Sequence, residues 1–151
     1  MQSKYTTSSQ DESKILAKKI GENLKGGEII AINSDLGGGK TTFTKGIVKG
    51  TGSNDNVSSP SFNIKNEYVS NKFNIFHYDF YRLQDPGLMK NELDEAINEQ
   101  NAVIILEWSI TVKDVLPQDI IELTIKVTGE LGRQLIFNYP SKYDYLFKAI
   151  K

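Results

Sequence analysis

The chain has 151 residues, of which 38% are hydrophobic, a formal net charge of -1 and no cysteine. This length suits one domain with one substantial core, and the lack of cysteine excludes disulfides and thiolate metal sites. Without a run of basic residues, a long apolar stretch or an apolar N-terminus, tight direct nucleic-acid binding, a membrane span and a signal peptide are not indicated. We therefore expect a soluble cytoplasmic protein.

The N-terminal part predicts a tail, a helix and a buried strand, in that order. Residues 1–8 are polar and are expected to be loose. Ser9, with Glu12 three residues later, has the form of a capping box that opens a helix, and a pair of glycines closes it. The apolar run that follows predicts a buried strand over residues 28–33.

Residues 34–42 read SDLGGGKTT and have the features of a phosphate-binding loop. Consecutive glycines allow the backbone to turn its N–H groups toward a phosphate, because no Cβ blocks a positive φ or the approach of an oxygen. Lys40 places a cation against the β- and γ-phosphates, and the Thr41 hydroxyl can complete the shell of a bridging Mg²⁺. The nucleotide-binding set predicted here is Gly37, Gly38, Gly39, Lys40, Thr41 and Thr42.

The loop departs from the strict pattern at its first position, where Ser34 replaces glycine. A small residue at negative φ can serve there, because that position ends the strand. The alternative is a flexible glycine-rich turn that happens to precede a lysine. The apolar strand before the loop and the predicted helix after it, over residues 41–49, favour the phosphate loop.

The middle of the chain predicts a hydroxyl-rich loop followed by a strand that ends in an acid. In the loop, residues 57–64, Ser59 or Ser61 could contact Mg²⁺ and the γ-phosphate as a switch does, or could simply form a turn. The strand, residues 73–81, carries His77 and, near its carboxyl end, Asp79, with Arg82 directly after it. An acid in that place holds Mg²⁺ in nucleotide folds, although a capping role or a salt bridge to Arg82 is the alternative. His77 is interpreted as packing or as support for a ligand.

The next apolar strand, residues 102–106, is predicted to be central in the sheet and to deliver Glu107 and Trp108 at its carboxyl end. Glu107 could orient the attacking water or a Mg²⁺-bound water. Trp108 could cover the site, contact a partner or fill the core. Alternation over residues 120–127 and 134–139 predicts an antiparallel hairpin at the sheet edge. The fold class predicted is α/β: a single P-loop NTPase-like domain with a mainly parallel central sheet flanked by helices.

Four ordered blocks of the chain resemble the TsaE family, the small P-loop ATPases of bacterial tRNA threonylcarbamoyladenosine synthesis. They read SDLGGGKTTF at 34–43, SPSFNIKNEY at 59–68, HYDFYRLQDP at 77–86 and ILEW at 105–108. The resemblance covers nearly the whole chain, and the first and third blocks together are its most specific part. Besides Ser34, the chain departs from the family at Ser61, a usual threonine, and at Ile110, where an acid is common.

The resemblance implies an ATP- and Mg²⁺-binding protein with slow hydrolysis. It also implies that TsaB and TsaD, which place threonylcarbamoyl on a tRNA adenosine beside the anticodon, need this subunit, with tRNA contacted indirectly. Carried over by position, the catalytic set is Lys40, Asp79 and Glu107, and the metal-binding set is Thr41, Asp79 and Glu107. Arg133 lies where the family tends to carry an arginine near the nucleotide.

Two other functions fit a phosphate loop. A small-molecule kinase usually clamps the transferred phosphoryl group with several arginines, whereas this chain has only Arg82 and Arg133. A nucleotide-dependent binding module without useful turnover would need Asp79 and Glu107 only as structural residues. The ATPase subunit is the leading hypothesis.

Overall fold

A computed structural model describes residues 1–60, 62–83 and 85–150. It contains a seven-stranded sheet in the order β1-β7-β6-β2-β5-β4-β3. The strands are β1 Gln2–Thr7, β2 Ile29–Ser34, β3 Lys65–Val69, β4 Asn74–Asp79, β5 Ala102–Glu107, β6 Ile121–Val127 and β7 Arg133–Asn138. The helices are α1 Gln10–Asn23, α2 Lys40–Gly50, α3 Gly87–Ile97 and α4 Asp144–Lys148, with short 3-10 segments at Ser109–Val115 and Ser141–Tyr143.

The centre of the sheet is parallel and both edges are antiparallel. The strands β6, β2, β5 and β4 run parallel to one another, while β3 pairs antiparallel with β4 at one edge and β7 and β1 continue antiparallel at the other. Every residue of β5 is buried, which confirms the prediction of a central strand. The α/β class with a mainly parallel centre is likewise confirmed.

Side chains along each parallel strand alternate between the two faces of the sheet, and helices cover the apolar side chains on both faces. Ile30 and Ile32 of β2 pack with α1, α2 and α4 on one face, and Ile29 and Ala31 pack with α3 on the other. No helix in the described ranges is long and apolar enough to cross a membrane.

The N-terminal segment corrects one prediction. Residues 1–8 were expected to be loose, but Gln2–Thr7 form β1 and pair with β7 over their whole length. Backbone hydrogen bonds to β7 and the edge-to-face contact of Tyr5 with Phe137, 5.9 Å between ring centroids, hold this strand. Its outer face is solvated, so its sequence is too polar to predict a strand. The β6–β7 hairpin is confirmed, with β1 one strand further out.

The capping box at the start of α1 forms in a modified way. The Ser9 hydroxyl accepts a hydrogen bond from the Glu12 amide at 3.1 Å, as predicted. The Glu12 carboxylate reaches the amide of Ser8, at 2.6 Å, one residue before the N-cap. Both contacts satisfy donors at the helix entrance, and the helix starts where the sequence predicted.

Candidate functional site

A cavity of about 340 Å³ opens where the parallel strands end at their carboxyl edge. This is where open α/β sheets bind ligands. All residues predicted for the site line it, namely Gly37, Gly38, Gly39, Lys40, Thr41, Thr42, Asp79, Glu107 and Arg133. Ser59 lines the cavity too, whereas Ser61 lies outside the described residues. The structure thus brings the predicted set together, and nucleotide binding by that set stays a prediction.

The loop between β2 and α2 is shaped by glycines and opens onto a helix start. Gly37 and Gly39 have φ of 73° and 107°, in the left-handed region where a side chain is strained. The first hydrogen bond within α2 runs from the Phe43 amide to the Gly39 carbonyl, at 2.9 Å. The backbone N–H groups ahead of Phe43, in the first turn of α2, have no acceptor inside the helix. They lie at the cavity, where an anion would be stabilised.

The Lys40 ammonium has three contacts within the protein, and only 8% of the residue is exposed. It donates to the Ser34 hydroxyl at 3.4 Å and to the Asp35 carbonyl at 3.3 Å. Its Nζ also lies 5.0 Å from the ring centroid of Trp108, within cation–π range. Ser34, which departs from the strict loop pattern, therefore contributes an acceptor that a glycine could not.

Asp79 and Glu107 lie side by side, because they are partners in the parallel register of β4 and β5. Both carboxylates are buried, with 6% and 1% of the residue exposed. Asp79 Oδ1 accepts the Tyr81 amide at 2.9 Å, so the predicted capping contact exists beside the cavity-lining position. Two acids on adjacent strand ends are the arrangement that a nucleotide fold uses for Mg²⁺ and water.

The donor set suits Mg²⁺ bound together with phosphate. No group of three His, Cys, Asp or Glu side chains within the described ranges is arranged to hold a metal ion. Asp79, Glu107 and the Thr41 hydroxyl nevertheless offer only oxygen atoms to one cavity. Mg²⁺ prefers such hard ligands and commonly takes one or two carboxylates, completing its octahedron with waters and phosphate oxygens.

The side chain of Arg133 contacts the backbone of the phosphate loop. Its Nε donates to the Gly38 carbonyl at 2.9 Å, and Nη1 donates to the Gly132 carbonyl at 2.8 Å. The arginine at the start of β7 therefore orients a peptide of the loop while it lines the cavity. Sequence spacing alone could not show this contact, since 95 residues separate the two partners.

Several lining residues were not predicted. Gln10 and Ser13 reach the cavity from the start of α1, and Leu36 and Leu131 from exposed loop positions. Trp108, for which covering the site was one of the predicted roles, also lines it, with φ of 56° and ψ of 50°, and its ring lies 4.8 Å from that of Tyr81. Leu36 lies inside the phosphate-loop motif, whereas Gln10, Ser13 and Leu131 belong to none of the four blocks, so only the folded sheet brings them to the cavity.

The chain is similar to known proteins over most of its length. The family model described as threonylcarbamoyl adenosine biosynthesis protein TsaE matches residues 7–135. The chain is 41% identical over 125 residues to the tRNA threonylcarbamoyladenosine biosynthesis protein TsaE of Rickettsia prowazekii, covering 82% of this chain and 85% of that protein. It is 36% identical to the protein of the same name from Bacillus subtilis over 150 residues, covering 99% and 94%.

A solved structure has the same fold. The crystal structure of Bacillus subtilis YdiB superposes with a TM-score of 0.81 at 31% sequence identity, covering 99% of this chain and 94% of that one. The matched region contains the phosphate loop, both carboxylates and Arg133. On this evidence, the chain belongs to the TsaE family.

Proposed function

We propose that the protein binds ATP with Mg²⁺ in the cavity, hydrolyses it slowly, and acts with TsaB and TsaD in threonylcarbamoyladenosine modification of tRNA. Membership of the TsaE family supports the pathway, and the cavity supports the chemistry. With a net charge of -1, the chain is not suited to tight contact with a phosphate backbone. We therefore propose that tRNA is reached through the partner proteins.

The observation that carries the proposal is the convergence of the Lys40 ammonium with two buried carboxylates. Lys40 starts α2, while Asp79 and Glu107 end neighbouring strands, and all three line one cavity. Each of these buried charges has partners within the protein, and a Mg²⁺-nucleotide would add opposite charges, because its phosphates would meet the ammonium and its metal would meet the carboxylates.

Each residue then has a definite task. Lys40 and the N–H groups at the start of α2 hold the β- and γ-phosphates in place. Thr41 and Asp79 provide oxygen ligands, and bound Mg²⁺ would neutralise charge on the phosphate oxygens. Glu107 orients the attacking water. Positioning and electrostatics of this kind account for most catalysis of phosphoryl transfer.

The scarcity of arginine in the cavity supports an ATPase over a kinase. A kinase must also hold an acceptor beside the γ-phosphate, and it commonly clamps the transferred phosphoryl group with several arginines. The lining contains one arginine, Arg133, whose Nε already binds the loop carbonyl of Gly38.

The direct test is Mg²⁺-dependent ATP hydrolysis by the full chain, alone and with purified TsaB and TsaD. We expect a slow basal rate that rises with the partners. The Lys40→Ala variant should weaken ATP binding by about 10- to 100-fold, as expected for the loss of a charged hydrogen-bonding partner, and should abolish hydrolysis. Lys45→Ala is the matched control, because this exposed lysine lies on the same helix away from the cavity.

Three outcomes would contradict the proposal. No hydrolysis in either condition, with ATP still bound, would indicate a nucleotide-dependent binding module. A phosphorylated small-molecule product would indicate a kinase. Hydrolysis that survives Lys40→Ala would mean that the chemistry occurs elsewhere or comes from a contaminant.

A further inference from the structure

A buried row of hydrogen bonds joins Glu107 to a loop on the edge of the sheet. Glu107 Oε2 lies 3.3 Å from His77 Nε2, and His77 Nδ1 lies 3.2 Å from the Tyr68 hydroxyl. The Tyr68 hydroxyl in turn lies 3.2 Å from the carbonyl oxygen of Ser58. His77 is fully buried and Tyr68 is 3% exposed, so the row runs through the protein interior.

The sheet builds this row from three adjacent strands. Glu107 ends β5, His77 lies in β4 and Tyr68 lies in the edge strand β3. His77 and Asp79 point to the same face because they are two residues apart in one strand. Tyr68 lies diagonally across from His77, whose direct partner in the antiparallel register is Asn66. Long side chains at such diagonal positions reach one another.

The Tyr68 hydroxyl has a single hydrogen, so it donates either to His77 Nδ1 or to the Ser58 carbonyl. When His77 Nε2 donates to the Glu107 carboxylate, Nδ1 accepts the Tyr68 hydrogen. Asn66 Nδ2 then completes the row, because its two hydrogens reach the Tyr68 oxygen at 3.5 Å and the Ser58 carbonyl at 3.1 Å. Burial raises the pKa of Tyr68 above its ordinary value, partly offset by hydrogen bonds with Asn66 and Ser58, while the charge of Glu107 raises it further. Tyr68 is therefore a neutral hydroxyl.

We propose that His77 is a positioning residue which fixes Glu107 and, through Tyr68, couples it to the loop at residues 57–60. This inference rests on the proposed function, in which Glu107 orients the attacking water. The loop is placed to sense the ligand, because Ser59 lines the cavity directly after Ser58. A ligand that moves Ser59 shifts the Ser58 carbonyl, and the row transmits that shift to the carboxylate.

A simple packing role explains His77 less well. An apolar residue would fill the same buried position without the cost of desolvating a ring nitrogen pair. Here both ring nitrogens have partners, and one partner is a carboxylate that faces the cavity. Buried polar networks that are fully satisfied fix a single geometry, which is what an orienting carboxylate requires.

The first test measures hydrogen exchange at the amides of residues 57–59 without nucleotide. Tyr68→Phe removes one hydrogen bond and should raise exchange there about fivefold. Glu107→Ala should also raise it, although residues 57–59 are 48 or more positions away in sequence. The double variant should show no more than the larger single effect, because both changes break the same row.

The controls separate coupling from general loosening. Tyr78→Phe makes the same substitution on the opposite face of β4 and should leave exchange at residues 57–59 unchanged. Glu107→Gln retains an oxygen acceptor for His77 and should leave loop protection near that of the natural chain. If Glu107→Ala fails to fold, Tyr68→Phe and the kinetic test below decide the coupling. Multiplying effects in the double variant, or a loop that ignores Glu107→Ala, would overturn the proposal.

The second test uses steady-state ATP hydrolysis. Tyr68→Phe should lower kcat about fivefold with little change in KM, and this effect should vanish in the Glu107→Gln background. A persistent effect in that background would overturn the coupling. The exchange experiment needs no nucleotide, so a chain without hydrolysis would contradict the proposed function while leaving the exchange result to decide the coupling.

Discussion

Ser34 and Gly38 form a matched pair inside the phosphate loop. A Cβ built at Gly38 would lie 2.1 Å from the Ser34 hydroxyl oxygen and 2.9 Å from the Asp35 carbonyl oxygen. The serine hydroxyl is itself fixed, because it donates to the Asp35 carbonyl at 2.7 Å and accepts from Lys40. Ser34 thus stands where the strict pattern has glycine, and the absence of a side chain at Gly38 leaves room for the Ser34 hydroxyl.

This pairing predicts that Gly38→Ala will destabilise the chain. Overpacking of this kind typically costs about 1–3 kcal/mol of unfolding free energy. It should also weaken nucleotide binding, because the loop must move. Adding Ser34→Gly should recover part of the loss but not all of it, since the Asp35 carbonyl stays close. Urea unfolding and nucleotide titration measure both quantities.

Gly129→Ala is the matched control for this substitution. A Cβ there meets nothing within 4 Å, and the residue does not have a positive φ. Its unfolding free energy should stay within about 0.5 kcal/mol of the natural chain. Equal losses in Gly38→Ala with and without Ser34→Gly would show that the hydroxyl is not the obstacle.

At the scale of elements, α2 is set against α1 by glycines. A Cβ at Gly46 would lie 2.5 Å from the Ala17 Cβ and 2.7 Å from the Lys14 carbonyl oxygen, and one at Gly21 would lie 2.1 Å from the Ile47 carbonyl oxygen. The two helices therefore approach closely enough for side chains and backbone to touch. Because α2 begins at Lys40, directly after the phosphate loop, the contact between α1 and α2 also fixes the position of the loop relative to the sheet.

Gly46→Ala should therefore destabilise the protein, although alanine has a higher helix propensity than glycine. Propensity alone predicts a gain of about 1 kcal/mol for replacing an interior glycine by alanine. The close backbone contact should instead give a net loss of roughly 1–3 kcal/mol. Lys45→Ala, one residue away on the exposed side, should change little. A lower urea midpoint at constant slope is the expected observation, and a raised midpoint would show that the helices can separate cheaply.

The sequence predicts those parts of the fold and site that local patterns determine. The phosphate loop, the buried strand β5 and the acids at the strand ends follow from glycine spacing, apolar runs and strand ends. The glycines of the helix crossing, the contact of Arg133 with Gly38 and the row from Glu107 to Ser58 join residues far apart in the chain. No local pattern encodes such contacts, and a glycine inside a helix reads as a weak position rather than as a contact.

At the scale of the whole molecule, β1 ties the N-terminal segment to the site. Thr7 is the register partner of Arg133, whose Nε binds the phosphate loop at Gly38. The Thr7 hydroxyl also lies 2.7 Å from that of Ser13, a residue of α1 that lines the cavity. The first strand thus braces two sides of the cavity, although its sequence is mostly polar.

Deleting residues 1–7 should therefore affect both stability and ligand binding. The loss of the Tyr5 ring packing, the buried hydroxyl pair and the β1–β7 hydrogen bonds should lower the unfolding free energy by about 3 kcal/mol or more. Nucleotide binding should weaken as well, because Arg133 would then start a frayed edge strand. Lys4→Ala, an exposed change within β1, is the control and should alter neither quantity. Urea unfolding and nucleotide titration of the two variants test this prediction. If β1 only pairs with β7, the deletion should lower the unfolding free energy alone. If β1 also supports the site, the deletion should lower nucleotide affinity as well.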